Sequence, residues 1–222
     1  SDDKNTDGYK SLKARAEANE AFGAELKNGK KADAQRGYEI ACKEWMDVRS
    51  FGQVFAFKGS DLSLGIRGPV SVQPAFSVDP IDITSMQITK SVNSEDKEGK
   101  SSDTMGMKHR VDFGVYILKG SINVQLSEKT GFTEEDAEKI KEAIRTLFVN
   151  DSSSARPDGS MVMHKLYWWK HNCKIGQYSS HKVHNSIEIK KKEGVRNPRK
   201  IEDYEIICHE LPGLAVEEYE GL

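Results

Sequence analysis

"LGIRGPVSVQPAFSVDPIDI", Leu64 to Ile83, is the stretch on which the fold turns. Its apolar residues keep the two-residue period of a strand, with Leu64 and Ile66 followed by Val70 and Val72. Pro69, Pro74 and Pro80 interrupt it and remove ladder donors, so the run predicts a sheet edge or a strand broken by bulges. An edge carrying Arg67, Ser71 and Gln73 either meets a partner or is a solvated, charged border that discourages aggregation.

Before this stretch, Tyr9 to Leu26 is rich in Ala, Glu and Lys and predicts a solvent-facing helix ending near Asn28-Gly29. Tyr38, Ala41, Trp45 and Val48 recur at spacings of three and four, the stripe of a helix that packs on a sheet. "FGQVFAF" then opens extended chain. After the stretch, Val111, Phe113, Val115 and Ile117 alternate, and Ile122, Val124 and Leu126 resume the pattern. Thr133 with Asp136 forms a capping-box signal ahead of the stripe Ala137, Ile140, Ile144, Leu147 and Phe148. "NDSSSARPDGS" reads as a loop, "MVMHKLYWW" as a strand, and the basic run before "YEIICHEL" as a further hairpin and a late strand.

The order helix, strand, strand, helix, strand is a βαββαβ unit without its first strand, which predicts an α+β fold of the RNA-recognition-motif (ferredoxin-like) type. From Asp82 to Lys108 the chain runs on where a tight turn would suffice. Met86 and Ile88 on one arm and Met105 and Met107 on the other predict a projecting β-hairpin, with "SVNSEDKEGKSSD" as its mobile tip; a disordered surface loop is the alternative.

Composition restricts the function classes. With 36% hydrophobic and 31% charged residues in 222, and no apolar run of membrane-span length, a soluble cytoplasmic protein without a membrane partner is expected. Cys42, Cys173 and Cys208 are odd in number and far apart, which suggests reduced core thiols. The net charge of −2 conceals a segregation: residues 1–150 hold 22 Lys/Arg against 24 Asp/Glu, residues 151–200 hold 11 against 4, and residues 201–222 hold 0 against 7. The basic segment could grip a polyanion, or meet the acidic tail of another copy, or be neutralised by its own tail.

Lys90, facing Lys108, His109 and Arg110 beside the Arg67, Ser71 and Gln73 edge, would present donors to phosphates along one track. Met105 and Met107 could wedge between bases. His171, Cys173, His181 and His184 are metal-capable, but their spacing fits no common zinc pattern, and no metal or cofactor is expected. "GVYILKGS" lacks a phosphate-cradling pattern. Asp79 and Asp82 flank Pro80-Ile81, either as a turn or as paired carboxylates for a divalent ion.

"GSDLSLGIRGPVSVQPAFSVDPIDI", "ITKS", "TMGMKHRVDFGVY" and "SSARPDGSMVMHKLYWWKHN" together resemble the CRISPR-associated, RAMP-like backbone subunit of the subtype I-C Cascade complex, in order and over nearly the whole chain. The resemblance implies a single elaborated domain over 1–222. Residues 9–50 would supply helical fingers and the first palm helix, 82–109 the thumb insertion, and 110–222 the rest of the palm and C-terminal hairpins. It further implies CRISPR RNA, further copies of the subunit, other Cascade subunits and, through the RNA, target DNA as partners. Arg67-Gly68-Pro69 matches the palm strand at the thumb root, Met105 to His109 the returning thumb arm, and Arg49 in "DVRSFGQ" a motif near the RNA. Relatives open with a strand and an Asn-Pro-Asn-Gly-Asp-like loop that do not precede Ser1, so the missing strand is expected outside these residues. Some carry a basic residue where Met107 stands. No catalysis is expected; the alternative is a metal-dependent RNA-guided ribonuclease of the type III kind using Asp79 or Asp82.

Overall fold

A computed structural model describes residues 7–92 and 105–222. The expected mobile tip lies, from residue 93 onward, outside the described residues. In chain order the helices are α1 (Leu12–Ala18), α2 (Glu20–Lys27), α3 (Ala34–Glu44), α4 (Met46–Phe51), α5 (Val124–Thr130), α6 (Glu134–Arg145) and α7 (Ser180–His184). The strands are β1 (Gly52–Ala56), β2 (Ser63–Arg67), β3 (Val70–Val72), β4 (Phe76–Ser77), β5 (Ile83–Thr89) and β6 (Met105–Val111). They continue as β7 (Tyr116–Ile117), β8 (Gly120–Ile122), β9 (Lys165–Trp169), β10 (Ile187–Lys191), β11 (Tyr204–Cys208) and β12 (Val216–Glu220). The class is α+β, and among the described residues the strands pair two by two in antiparallel ladders. Of the predicted order, the helix α3–α4, the helix α6 and the strand β9 stand in sequence, while the strands on either side of the Asp82–Lys108 run are short pieces, β2 to β4 before it and β7 and β8 after it. No described helix is long and apolar enough to cross a membrane.

The chain falls into two compact units, one of residues 1–72, 120–179 and 212–222, the other of residues 73–119 and 180–211. The first is built around Ala16, Phe22, Leu26, Ala41, Val48, Phe55, Leu62, Leu64 and Ile66. The helix predicted from Tyr9 is two helices, because Asn19 turns to extended geometry and its side chain caps α2 by accepting from the Phe22 N–H. It is not solvent-facing. Ala16 and Phe22 are fully buried, and the Phe22 ring lies 4.8 Å from that of Phe55 and 5.3 Å from that of Trp45. Burying each such ring contributes roughly 2–3 kcal/mol, so the few large apolar residues of a polar helix suffice to anchor it.

β1 and β2 pair in the register Gly52↔Arg67 and Phe55↔Leu64. Alternation turns Phe55, Leu64 and Ile66 to the helices and leaves Val54, Gly65 and Arg67 outward. Two glycines fix the junctions at this end. Gly52 has φ +86, and a Cβ there would stand 2.2 Å from the Ile66 carbonyl oxygen; one on Gly68 would stand 2.2 Å from that of Ser50.

The alternation through Ile122, Val124 and Leu126 does not continue as a strand. β8 stops at Ile122; Asn123 accepts from the Leu126 N–H and Gly131 closes α5 with φ +74. A capping pair outweighed three alternating residues. α6 begins with the predicted capping box, though Leu147 lies past its end and is exposed. β12, which no pattern announced, pairs with β9.

The acidic tail folds onto its own chain. Lys141, itself nearly buried between the rings of Trp168 and Tyr219, binds Glu217 at 2.9 Å, and Lys165 takes Glu218 and Glu220. In the second unit Lys190 meets Glu205. Of the reading in which this tail seeks another copy, these contacts leave little charge to act. Cys42 is buried, but Cys173 is exposed and is no core thiol.

The second unit holds the hairpin β5–β6, the short ladder β4–β7, the pair β10–β11 and α7. Of the strand predicted from Val111 to Ile117, only the ends are strand; Phe113 leaves the ladder to lie 6.5 Å from the ring of Tyr204.

Candidate nucleic-acid interface

The hairpin is seven residue pairs long, from Ile83↔Val111 to Thr89↔Met105, and every residue of β6 is exposed. Opposite residues share a face, so the register sorts its side chains. One face carries Ser85, Gln87 and Thr89 with Met105, Met107 and His109; the other carries Thr84, Met86 and Ile88 with Gly106, Lys108 and Arg110. By the same period Lys90, one residue past β5, joins the second face. The expected single track of Lys108, His109 and Arg110 is therefore divided: neighbours in a strand point apart, so His109 stands with the methionines and Lys90, Lys108 and Arg110 stand together.

Each face has its own order. Ser85 Oγ and His109 Nδ1 are 2.8 Å apart, and Gln87 Nε2 donates to Met105 Sδ at 2.6 Å. On the other face, Arg110 Nε donates to Asp112 on its own arm at 2.7 Å, and Thr84 Oγ1 donates from the opposite arm to the same carboxylate at 2.6 Å. The Thr84 hydroxyl, then the Arg110 guanidinium, hold the Asp112 carboxyl below the usual carboxylate range. Met105 and Met107 are 64% and 57% exposed among the described residues, large apolar groups on the surface of the ribbon. A two-stranded ribbon of this kind is marginal in water alone, and its apolar tips suit contact with flat partners such as bases.

The root of the hairpin is held by a residue that sequence reasoning missed. Tyr204, 5% exposed, donates its hydroxyl to Asp79 at 2.8 Å, and Lys191 approaches the same carboxylate at 3.2 Å. Burial, then the hydrogen bond to Asp79, pushes the Tyr204 phenol up to about 12, while Tyr204 and Lys191 hold Asp79 below its usual range. Phe113 packs on the same ring, so one side chain steadies the chain on both sides of the hairpin. A buried tyrosine opening a β11 strand was readable from "DYEIIC"; its partner 125 residues away was not. Asp82 is 81% exposed, 3.7 Å from Arg199. Of the paired carboxylates, Asp79 is thus engaged by a donor and a cation.

In the first unit, Arg67 ends β2 and Ser71 lies in β3, both exposed. Gln73, exposed, belongs by chain to the second unit, where its N–H continues the ladder to the Lys119 carbonyl. Arg49 is turned inward instead. Its Nε and a terminal nitrogen fork onto Asp136 at 2.8 and 2.7 Å, and its other terminal nitrogen reaches the carbonyls of Cys42 and Lys43. Asp136 is 1% exposed and also closes the capping box of α6. The Arg49 guanidinium, first, holds the Asp136 carboxyl down at about 2. All three guanidinium nitrogens are used within the unit, which makes Arg49 a positioning residue for α4 and α6.

His171 Nδ1 accepts from the Gln177 N–H, and His181 pairs with Asn185. Among the described residues no group of three His, Cys, Asp or Glu side chains could hold a metal ion.

A search of curated proteins finds no match. A family model described as CRISPR-associated protein Cas7 matches residues 3–209, which includes the hairpin β5–β6 and its root. An α+β chain with an exposed, two-faced ribbon, matched over nearly its full length, belongs to the CRISPR-associated protein Cas7 family.

Proposed function

We propose that the chain is a backbone subunit of a subtype I-C Cascade complex, which binds CRISPR RNA without reading its sequence and presents the spacer for pairing with target DNA. The hairpin carries this reading: Lys90 and Lys108 on one face, beside an Arg110 already paired with Asp112, offer charge to phosphates, and Met105 and Met107 on the other offer apolar contact to bases. The four sequence blocks support the subtype. Further copies and other Cascade subunits are the partners that such a subunit requires.

No cleavage is part of the proposal, since Asp79 is engaged by Tyr204 and Lys191. The test is a salt titration of CRISPR RNA binding to the full chain. Each phosphate neutralised on a single strand contributes about 0.7 to the slope of log affinity against log salt, so Lys90→Ala with Lys108→Ala should lower it by about 1.4. An unchanged slope removes both residues from the interface. Discrete Mg²⁺-dependent cuts in complementary RNA, abolished by Asp82→Ala, would overturn the non-enzymatic reading.

A further inference from the structure

The most basic segment of the chain adjoins the root of the hairpin. From the end of β10 towards β11, residues 190–200 hold Lys190, Lys191, Lys192, Arg196, Arg199 and Lys200 against the single acid Glu193. Lys190, Lys191 and Arg199 are spent on Glu205, Asp79 and Asp82. Lys192, Arg196 and Lys200 are exposed and make no ion pair among the described residues closer than the neighbourhood of Asp203.

This loop is fixed in shape. The Asp203 carboxylate accepts from the N–H groups of Arg199 at 2.7 Å and Lys200 at 3.2 Å, and the Lys192 N–H donates to the Asp203 carbonyl at 2.9 Å. Gly194, with φ +81, supplies the turn. A pre-ordered loop pays less entropy on binding than a loose one.

Its position follows from its ion pairs. Asp82 immediately precedes β5 and Asp112 immediately follows β6, and by alternation both belong to the face of Thr84 and Arg110. Arg199 reaches Asp82 and also acts on Asp112. The loop therefore lies at the foot of the hairpin on the side that bears Arg110, Lys108 and Lys90.

We infer that Lys192, Arg196 and Lys200 form a second phosphate-contacting element, a basic step at the foot of the hairpin over which a single-stranded RNA backbone continues from the cationic face. The inference rests on the proposed RNA-binding function and assigns it residues outside the hairpin. Nucleic acid is favoured over the acidic surface of another copy because the tail's own carboxylates Glu217, Glu218 and Glu220 are already paired with Lys141 and Lys165.

The experiment compares the full chain with the triple variant Lys192→Ala, Arg196→Ala, Lys200→Ala. Binding to a single-stranded RNA is followed by fluorescence anisotropy between 50 and 200 mM salt, and self-association by sedimentation velocity. With one phosphate per cation the slope should fall by about 2, so the wild type should lose roughly 20-fold more affinity than the variant over that range. An unchanged slope in the triple variant, alongside a reduced slope in Lys90→Ala with Lys108→Ala, overturns the basic step and leaves the hairpin reading standing. A wild-type affinity insensitive to salt overturns both. Lost self-association with an unchanged RNA slope assigns the loop to contact with another copy, against the inference. Unaltered far-UV circular dichroism guards each result against misfolding.

Discussion

Replacing Arg49 with methionine separates structural from ligand-binding arginine in one experiment. The Asp136 carboxyl lies at about 2 rather than its ordinary 3.8, and the depression corresponds to a stabilisation on the order of 2 kcal/mol. Because the folded value is the lower one, that stability is present above about pH 4 and is lost as pH falls through about 2. Arg49→Met removes the largest cause and leaves a carboxylate 1% exposed without its cation. Stripping one partner from a buried pair costs about 3–5 kcal/mol. Urea unfolding at pH 7 should show that loss, and the gap to wild type should narrow between pH 5 and pH 3 as the stranded carboxyl protonates. Arg49→Lys keeps the charge but not the fork, and should fall between, at roughly 1–2 kcal/mol. An Arg49→Met protein as stable as wild type at pH 7, whose RNA salt slope is lower by about 0.7, would place the guanidinium on a phosphate and refute the argument.

Tyr204→Phe should cost about 1–2 kcal/mol by removing a hydrogen bond to a charged acceptor. In alkaline spectrophotometric titration of the wild type, the Tyr204 phenol should ionise near 12, and because its folded value is the raised one, the stability it contributes is present below about pH 10 and is lost between there and 12; a Tyr204 that titrates at 10 would remove the Asp79 bond. Lys108→Ala should lower the RNA salt slope by about 0.7, whereas His109→Ala, on the opposite face, should leave it unchanged; equal effects would contradict the register. Gly68→Ala drives a Cβ to 2.2 Å from the Ser50 carbonyl oxygen and should destabilise by more than about 1 kcal/mol in thermal melts, with a neutral result showing that the crossing is loose.

The sequence announced what short-range periodicity controls. Phe55, Leu64 and Ile66 lie inward, Thr133 and Asp136 cap α6, and Met86 with Met105 mark two arms of one hairpin. Register was beyond it. Whether Lys108 stands beside Met86 or beside Gln87 depends on which residues pair across the ladder, and a slip of one residue would exchange every face. Charge was legible as a sum but not as a set of partners: the excess of Lys/Arg in 151–200 was visible, while the pairing of Lys191 with Asp79 joins residues more than a hundred apart. Arg49 shows the same limit. The resemblance of "DVRSFGQ" to a motif near the RNA implied a ligand contact, and only the fold brings the side chain to Asp136, 87 residues away. At Asn123, three alternating apolar residues suggested strand because a single capping residue carries no period.

The excursion of 73–119 leaves the first unit after Val72 and re-enters at Gly120, and these two residues are Cα partners in one ladder. Its ends are thus clasped side by side, about 5 Å apart, whatever length of chain lies beyond them. Lengthening, shortening or exchanging the inserted segment leaves that stem spacing untouched, and the cost in loop closure grows only as the logarithm of the added length. Reach becomes a property that can drift while the anchoring scaffold keeps its registry, so arms of many sizes can be carried on one unaltered stem.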